Sequence, residues 1–262
     1  MTRRVHIDIN SDVGESFGAY TLGFDEEVFP HITSANIACG FHAGDPQIMR
    51  KTVALAKRQG VEIGAHPGFR DLVGFGRRNL DATPEEVRDD VIYQIGALQA
   101  FAVSQGLKLQ HVKTHGSLYN MAVANPTMNE VLSEAVARVD PEMILVVIAS
   151  ADRKPLLEMG KRYGIRVAFE AFADRAYQKD GSLVPRRLKG AVIEDQEVAA
   201  QRALKMATEG RVTAIDGTEI ELKADTLCVH GDNPHAVQLV KRIREVLKAV
   251  DVDVTPMKHF VR

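Results

Sequence analysis

Three histidines, His42, His66 and His115, stand just beyond strand-like runs, with Asp12, Glu15 and Asp45 in the first fifth of the chain and Lys113 beside His115. Histidine exchanges protons near neutral pH, carboxylates orient or accept them, and lysine holds developing negative charge. Together they can build an acid, a base and a charge clamp in one pocket. The same residue types would serve a mixed histidine and carboxylate metal site, although no HxH or HExxH spacing supports one. Taken singly, each is more often structural, because buried histidines satisfy backbone groups and carboxylates cap helices. Their shared position shifts the balance. Asp12 and Glu15 follow the first strand, His42 and Asp45 the second, His66 the third, and Lys113 and His115 the fourth. Glu170 and Asp174 follow the sixth, and His230 and Asp232 the seventh.

The elements that must position them alternate strand and helix. Val5 to Asn10 alternates strictly, with Val5, Ile7 and Ile9 on one face and His6, Asp8 and Asn10 on the other. Residues 33–38 read as a second strand. A glycine-bearing loop leads from it to Asp45-Pro46, an N-cap carboxylate followed by proline, and a helix runs to Gly60. A third strand covers 61–65, and a glycine- and arginine-rich loop spans 68–80. Thr83 and Glu86 form a capping box for a helix reaching Gly106. Strands at 110–114, 143–149, 166–170 and 226–230 then alternate with helices at 126–139, 152–162, 194–208 and 236–250. Two runs flanking Asp216-Gly217 signal a surface hairpin. Residues 252–254 make a last short strand, and 255–262 a tail.

Strands joined through helices imply a parallel sheet, and a closed barrel would gather the strand ends around one mouth. The expected fold class is α/β, a distorted (β/α) barrel of seven or eight strands with a small β-hairpin insertion. It forms a single domain over 1–262.

Lys and Arg number 33 against 35 Asp and Glu, a net charge of −2 with both signs scattered. That leaves no electrostatic footprint for nucleic acid or membrane, so the partner is small. Cys39 and Cys228 lack CxxC spacing and suit a reducing cytoplasm. The apolar run at 143–149 is too short to span a bilayer, and a soluble, unexported chain is expected. No serine lies in a GxSxG elbow, and no GxxxxGK[ST] or strand-linked GxGxxG occurs. Phosphate could instead rest on helix N-termini at Asp45-Pro46 or Asn233-Pro234, helped by Arg70, Arg77 or Arg186.

Several stretches resemble the LamB/YcsF family, to which the A subunit of the bacterial ATP-dependent 5-oxoprolinase belongs. They are DINSD at 8–12 with Gly14-Glu15, SANIACGFHAGD at 34–45, GAHPGFRD at 64–71 and VKTHGSLYN at 112–120. EAFADRAY at 170–177, LVPR at 183–186 and CVHGDNP at 228–234 add to them. Thr114 departs from the proline usual in the family, and Ser117 stands for alanine. The resemblance implies a barrel of the glycoside hydrolase/deacetylase type. It also implies hydrolysis of the 5-oxo-L-proline lactam to L-glutamate, with ATP as co-substrate and subunits B and C as partners. On that reading Asp12 or His66 is the base, and Lys113 and His115 stabilise the oxyanion or phosphate. His42, Glu15 and Asp45 orient them. Arg70 or Arg186 holds the substrate carboxylate, and Asn10, Asn36, Glu170, Asp174, His230 and Asp232 complete the substrate site. Two readings compete with it: a metal-dependent deacetylase or amidase that needs no ATP, and a non-catalytic lactam-binding regulatory subunit.

Overall fold

The computed structural model describes residues 5–229 and 234–262. In chain order its elements are β1 (His6–Val13), α1 (Asp25–Val28), β2 (Ser34–Ala38), α2 (Pro46–Gln59), β3 (Glu62–His66), α3 (Pro84–Ser104), β4 (Leu109–Lys113), α4 (Gly116–Ala124), α5 (Pro126–Val139), β5 (Ile144–Ile148), α6 (Lys154–Tyr163), β6 (Arg166–Phe172), α7 (Gln196–Glu209), β7 (Arg211–Thr213), β8 (Glu219–Glu221), β9 (Thr226–Cys228), α8 (Pro234–Ala249) and β10 (Asp253–Val254). Strands β1 to β6 pair in sequence, β6 pairs with β9, and β9 returns to β1, all parallel. Seven strands therefore close a barrel with helices around it. The choice between seven and eight has a physical answer. β2 pairs with β1 only from Asn10 onward, and β10 takes the same edge lower down, opposite His6 and Ile7. The eighth strand patches a gap and does not close the ring.

Local signals are obeyed where they are strong. The Asp45 carboxylate accepts from the Gln47 and Ile48 amides at the start of α2, and Gly60 ends that helix at φ 67°. Both hydrogen bonds of the Thr83–Glu86 box are present on α3. β7 and β8 form the expected antiparallel hairpin outside the barrel. The helix α4 was not expected: GSLYNMAVA is apolar nearly all round and carries no helical stripe to read. The last residues are not a free tail either. Met257 and Val261 are buried against Ile144, Val146 and Ala168 of β5 and β6, so the C-terminus plugs the floor of the barrel. Among the described residues no helix is long and apolar enough to cross a membrane.

Alternation in β1 decides what fills the barrel. Ile7, Ile9 and Val13 join the apolar layer shared with the helices, while Asp8, Asn10 and Asp12 hydrogen-bond across the interior to β2, β4 and β9. The interior is thus polar in its β1 half, and it needs its partners built in. Gly64 shows how tight the fit is: a β-carbon there would stand 2.3 Å from the His111 ring.

Candidate active site

A hydrogen-bonded column rises through the barrel. At the floor, Asp8 accepts from Ser34 Oγ at 2.6 Å, Thr33 Oγ1 at 2.7 Å and Thr226 Oγ1 at 2.5 Å. Burial nevertheless pushes its carboxyl up to about 6. One layer higher, Asn10 and Asn36 join at 2.7 Å. The Nε2 hydrogen of His111 goes to Asn36 Oδ1 at 2.6 Å, and burial keeps that ring neutral, down to about 3. Lys113 tops the column, 2.9 Å from Asp12 Oδ1, 2.8 Å from Glu170 Oε1 and 3.2 Å from Cys228 Sγ. Burial alone would lower its ammonium, but Asp12, Cys228 and Glu170 outweigh it and hold it well above the ordinary value. Tyr119, in the first turn of α4, donates to Glu170 Oε2 at 2.8 Å.

The histidines meet at the C-terminal mouth. His66 ends β3 and His115 caps α4, with its amide bonded to the Pro67 carbonyl. His42 comes from the loop after β2 and stacks on His115, ring centroids 3.7 Å apart and planes 3° from parallel. His66 meets His115 edge-on. The loop after β3 seals them. Phe75 sits edge-on to both His42 and His115, and Gly76, at φ 63°, lies so close that a β-carbon would come within 2.8 Å of either. His42 Nε2 stands 3.3 Å from Glu15 Oε1, His115 Nδ1 3.6 Å from the same oxygen and 3.0 Å from His66 Nε2, and His66 Nε2 3.3 Å from Asp12 Oδ2. Burial and the neighbouring rings hold His115 down to about 2 and His42 well below its ordinary value, so both stay neutral. Glu15, His42, His66 and His115 offer ligand atoms all within 4.8 Å of one another, a set able to hold a metal ion. A cavity of about 600 Å³ opens onto Asp12, Glu15, His66, Lys113 and His115, with Phe75, Tyr119 and Phe172 as walls.

This geometry has relatives. A profile of the LamB/YcsF family matches residues 7–262. The chain belongs to the LamB/YcsF family. It is 52% identical to the 5-oxoprolinase A subunit of Pyrococcus horikoshii over 98% of this chain and 100% of that one. With the same-named protein of Bacillus subtilis it shares 51% identity, over 97% of each. The crystal structure of the lactam utilization protein from Thermus thermophilus superposes with a TM-score of 0.89 at 48% identity, covering 95% of this chain and 99% of that one.

Within this LamB/YcsF barrel the residues singled out from sequence do not all share one place. Asp12, Glu15, His66, Lys113, His115 and Arg186 line the cavity, and His42 stands directly behind Glu15 and His115. Asn10, Asn36 and Glu170 lie deeper in the column and act on the cavity through Lys113 and Asp12. Asp45 does not line it: its Oδ1 takes the two α2 amides and its Oδ2 the Gly18 amide, tying the β1 loop to α2. Arg70 points elsewhere as well, gripping Asp90 of α3 with Nε 3.0 Å from both carboxylate oxygens and lying over Phe41. Asp174 borders a neighbouring cavity with Arg175 and Val229. His230 and Asp232 lie outside the described residues. Sequence reasoning passed over Phe75, Tyr119 and Phe172 as cavity walls, and His111 inside the barrel. The spacing of His111 and Lys113 on one strand face could have revealed the last.

Proposed function

We propose that this chain is the A subunit of an ATP-dependent 5-oxoprolinase, a single barrel unit over 1–262 that opens the lactam of 5-oxo-L-proline to L-glutamate in the cytoplasm, with subunits B and C as partners. One observation carries the reading: His66, His115, Glu15, Asp12 and Lys113 converge on one cavity in a chain about half identical, end to end, to proteins named for that activity. A five-membered lactam is an unreactive amide, and its opening is unfavourable on its own. Phosphoryl transfer from ATP to the carbonyl oxygen, with ADP released, would make the carbonyl carbon electrophilic and drive the cleavage. Water then adds to that carbon, the C–N bond breaks as the ring nitrogen takes a proton, and the resulting γ-glutamyl phosphate is hydrolysed by a second water to L-glutamate and inorganic phosphate.

Groups lining the cavity can serve the water, the developing charge and the substrate carboxylate. Asp12 Oδ2 and His66 Nε2 face each other at 3.3 Å and supply the base that takes the water proton. Lys113, kept charged by Asp12 and Glu170, faces the developing negative charge on oxygen or phosphate. Arg186 lines the same cavity and serves the substrate carboxylate. His42 fixes Glu15 and the His115 ring. The experiment mixes the purified chain with its candidate partner subunits, 5-oxoproline and ATP, and follows glutamate and ADP. Equal amounts of both, formed only when every component is present, support the reading. Glutamate release without ATP, or none at all from an assembled complex, overturns it.

A further inference from the structure

Two imidazoles in the cavity bring ring nitrogens within 3.0 Å of each other. His66 Nδ1 lies 2.6 Å from the Lys113 carbonyl oxygen, and His115 Nε2 lies 2.9 Å from that of Phe75. A carbonyl oxygen only accepts, so those two nitrogens carry the ring hydrogens. When each ring carries that single hydrogen, His66 Nε2 and His115 Nδ1 are left with lone pairs 3.0 Å apart. Opposed lone pairs at that distance repel unless a positive centre lies between them. Locking one ring nitrogen to a carbonyl so that the other is free is how metal-ligating histidines are oriented.

The separations fit an ion. Ligand bonds of about 2.0–2.2 Å place neighbouring donor atoms roughly 2.8–3.6 Å apart, the lower end for octahedral angles and the upper end for tetrahedral ones. His66 Nε2 is 3.0 Å from His115 Nδ1, and Glu15 Oε1 is 3.6 Å from His115 Nδ1. His42 is different. Its ring lies parallel to His115 with centroids 3.7 Å apart, so an ion in the plane of His115 falls well outside the plane of His42, where the His42 lone pair does not point. We propose that His66 Nε2, His115 Nδ1 and Glu15 bind a divalent first-row transition-metal ion, leaving open positions toward the cavity, and that His42 is a positioning residue holding Glu15 and the His115 ring. Imidazole with carboxylate suits zinc, manganese, iron or cobalt better than magnesium or calcium. Such an ion supplies Lewis acidity at a carbonyl or phosphoryl oxygen. Its role, though not its binding, rests on the cavity being the hydrolytic site, and Asp12 then remains as the proton acceptor.

The test uses the purified full chain without partners, lactam or nucleotide. Metal content is read by plasma mass spectrometry, and cobalt(II) binding by visible absorption. The expected result is about one ion per chain, removed by chelator with a fall in Tm and restored by zinc, manganese or cobalt. Glu15→Gln, His66→Ala and His115→Ala abolish stoichiometric binding; if an alanine variant does not fold, the near-isosteric Glu15→Gln carries the test. His42→Phe keeps the stack and retains the ion with affinity lowered about 10–100-fold. A wild-type chain that takes up none of the three metals overturns the proposal, as does His42→Phe losing the ion as completely as Glu15→Gln. A metal-free chain that still releases glutamate in the reconstituted complex would overturn the ion's catalytic role and leave the 5-oxoprolinase reading standing.

Discussion

At the floor of the barrel Asp8 is as completely buried as His42 at its mouth, yet the two ends treat their polar groups in opposite ways. Asp8 receives three hydroxyl hydrogens and the Met257 amide, and the C-terminal plug closes over it. At the mouth His42 Nδ1 has no hydrogen-bond partner among the described residues, His66 Nε2 and His115 Nδ1 meet at 3.0 Å, and the acids and the lysine open onto a cavity. A buried polar group whose every valence is met by protein builds the fold. One that converges with other titratable groups on an open cavity is placed to meet a ligand.

That contrast can be strained from both ends. The largest effect is expected at the junction between them. Lys113→Met leaves Asp12 and Glu170 buried without a counter-charge and should cost about 3–5 kcal/mol in denaturant titration, with glutamate release lost as well. Next comes the floor. Met257→Ala, which unplugs the barrel far from the chemistry, should cost about 3 kcal/mol while turnover per folded molecule stays at the wild-type level. Loss of turnover in that variant at temperatures where it remains folded would mean the two ends are not separable.

Asp8 gives a smaller, pH-dependent effect. Its folded pKa, about 6, lies above the ordinary 3.8, so the folded state holds that proton more tightly than the unfolded one. The benefit is full below about pH 4 and is lost as pH rises through about 6. Wild type should therefore lose about 2–3 kcal/mol relative to Asp8→Asn between pH 4 and 7, seen as a shift in the difference of their urea midpoints. Smallest of all, Thr83→Ala removes the α3 cap and should lower stability by about 1 kcal/mol with no change in turnover.

Much of this was legible in the residues. Alternation in β1 and the Asp45, Thr83 and Gly60 signals are local, and local rules suffice to place strand ends and helix caps. The histidines could be assigned to one mouth because each follows a parallel strand. What stayed hidden depends on distant partners. Arg70 sits in a stretch that suggests substrate contact, but Asp90 decides where it points. Asp45 has the right chemistry for a site and spends its oxygens on three amides. α4 lacks a periodic stripe because it is wedged between the cavity and α5, with Tyr119 turned inward to Glu170. Nor does anything in residues 255–262 announce a plug, since burial there is fixed by β5 and β6.

The most direct measurement is glutamate release by His66→Ala and His115→Ala in the reconstituted complex, with assembly checked by gel filtration. The expected result is a fall of about a thousandfold in kcat for each, with assembly intact and a Tm no lower than that of the chelator-treated wild-type chain. Turnover within tenfold of wild type in both would contradict the assignment of the mouth as the place where the lactam is opened.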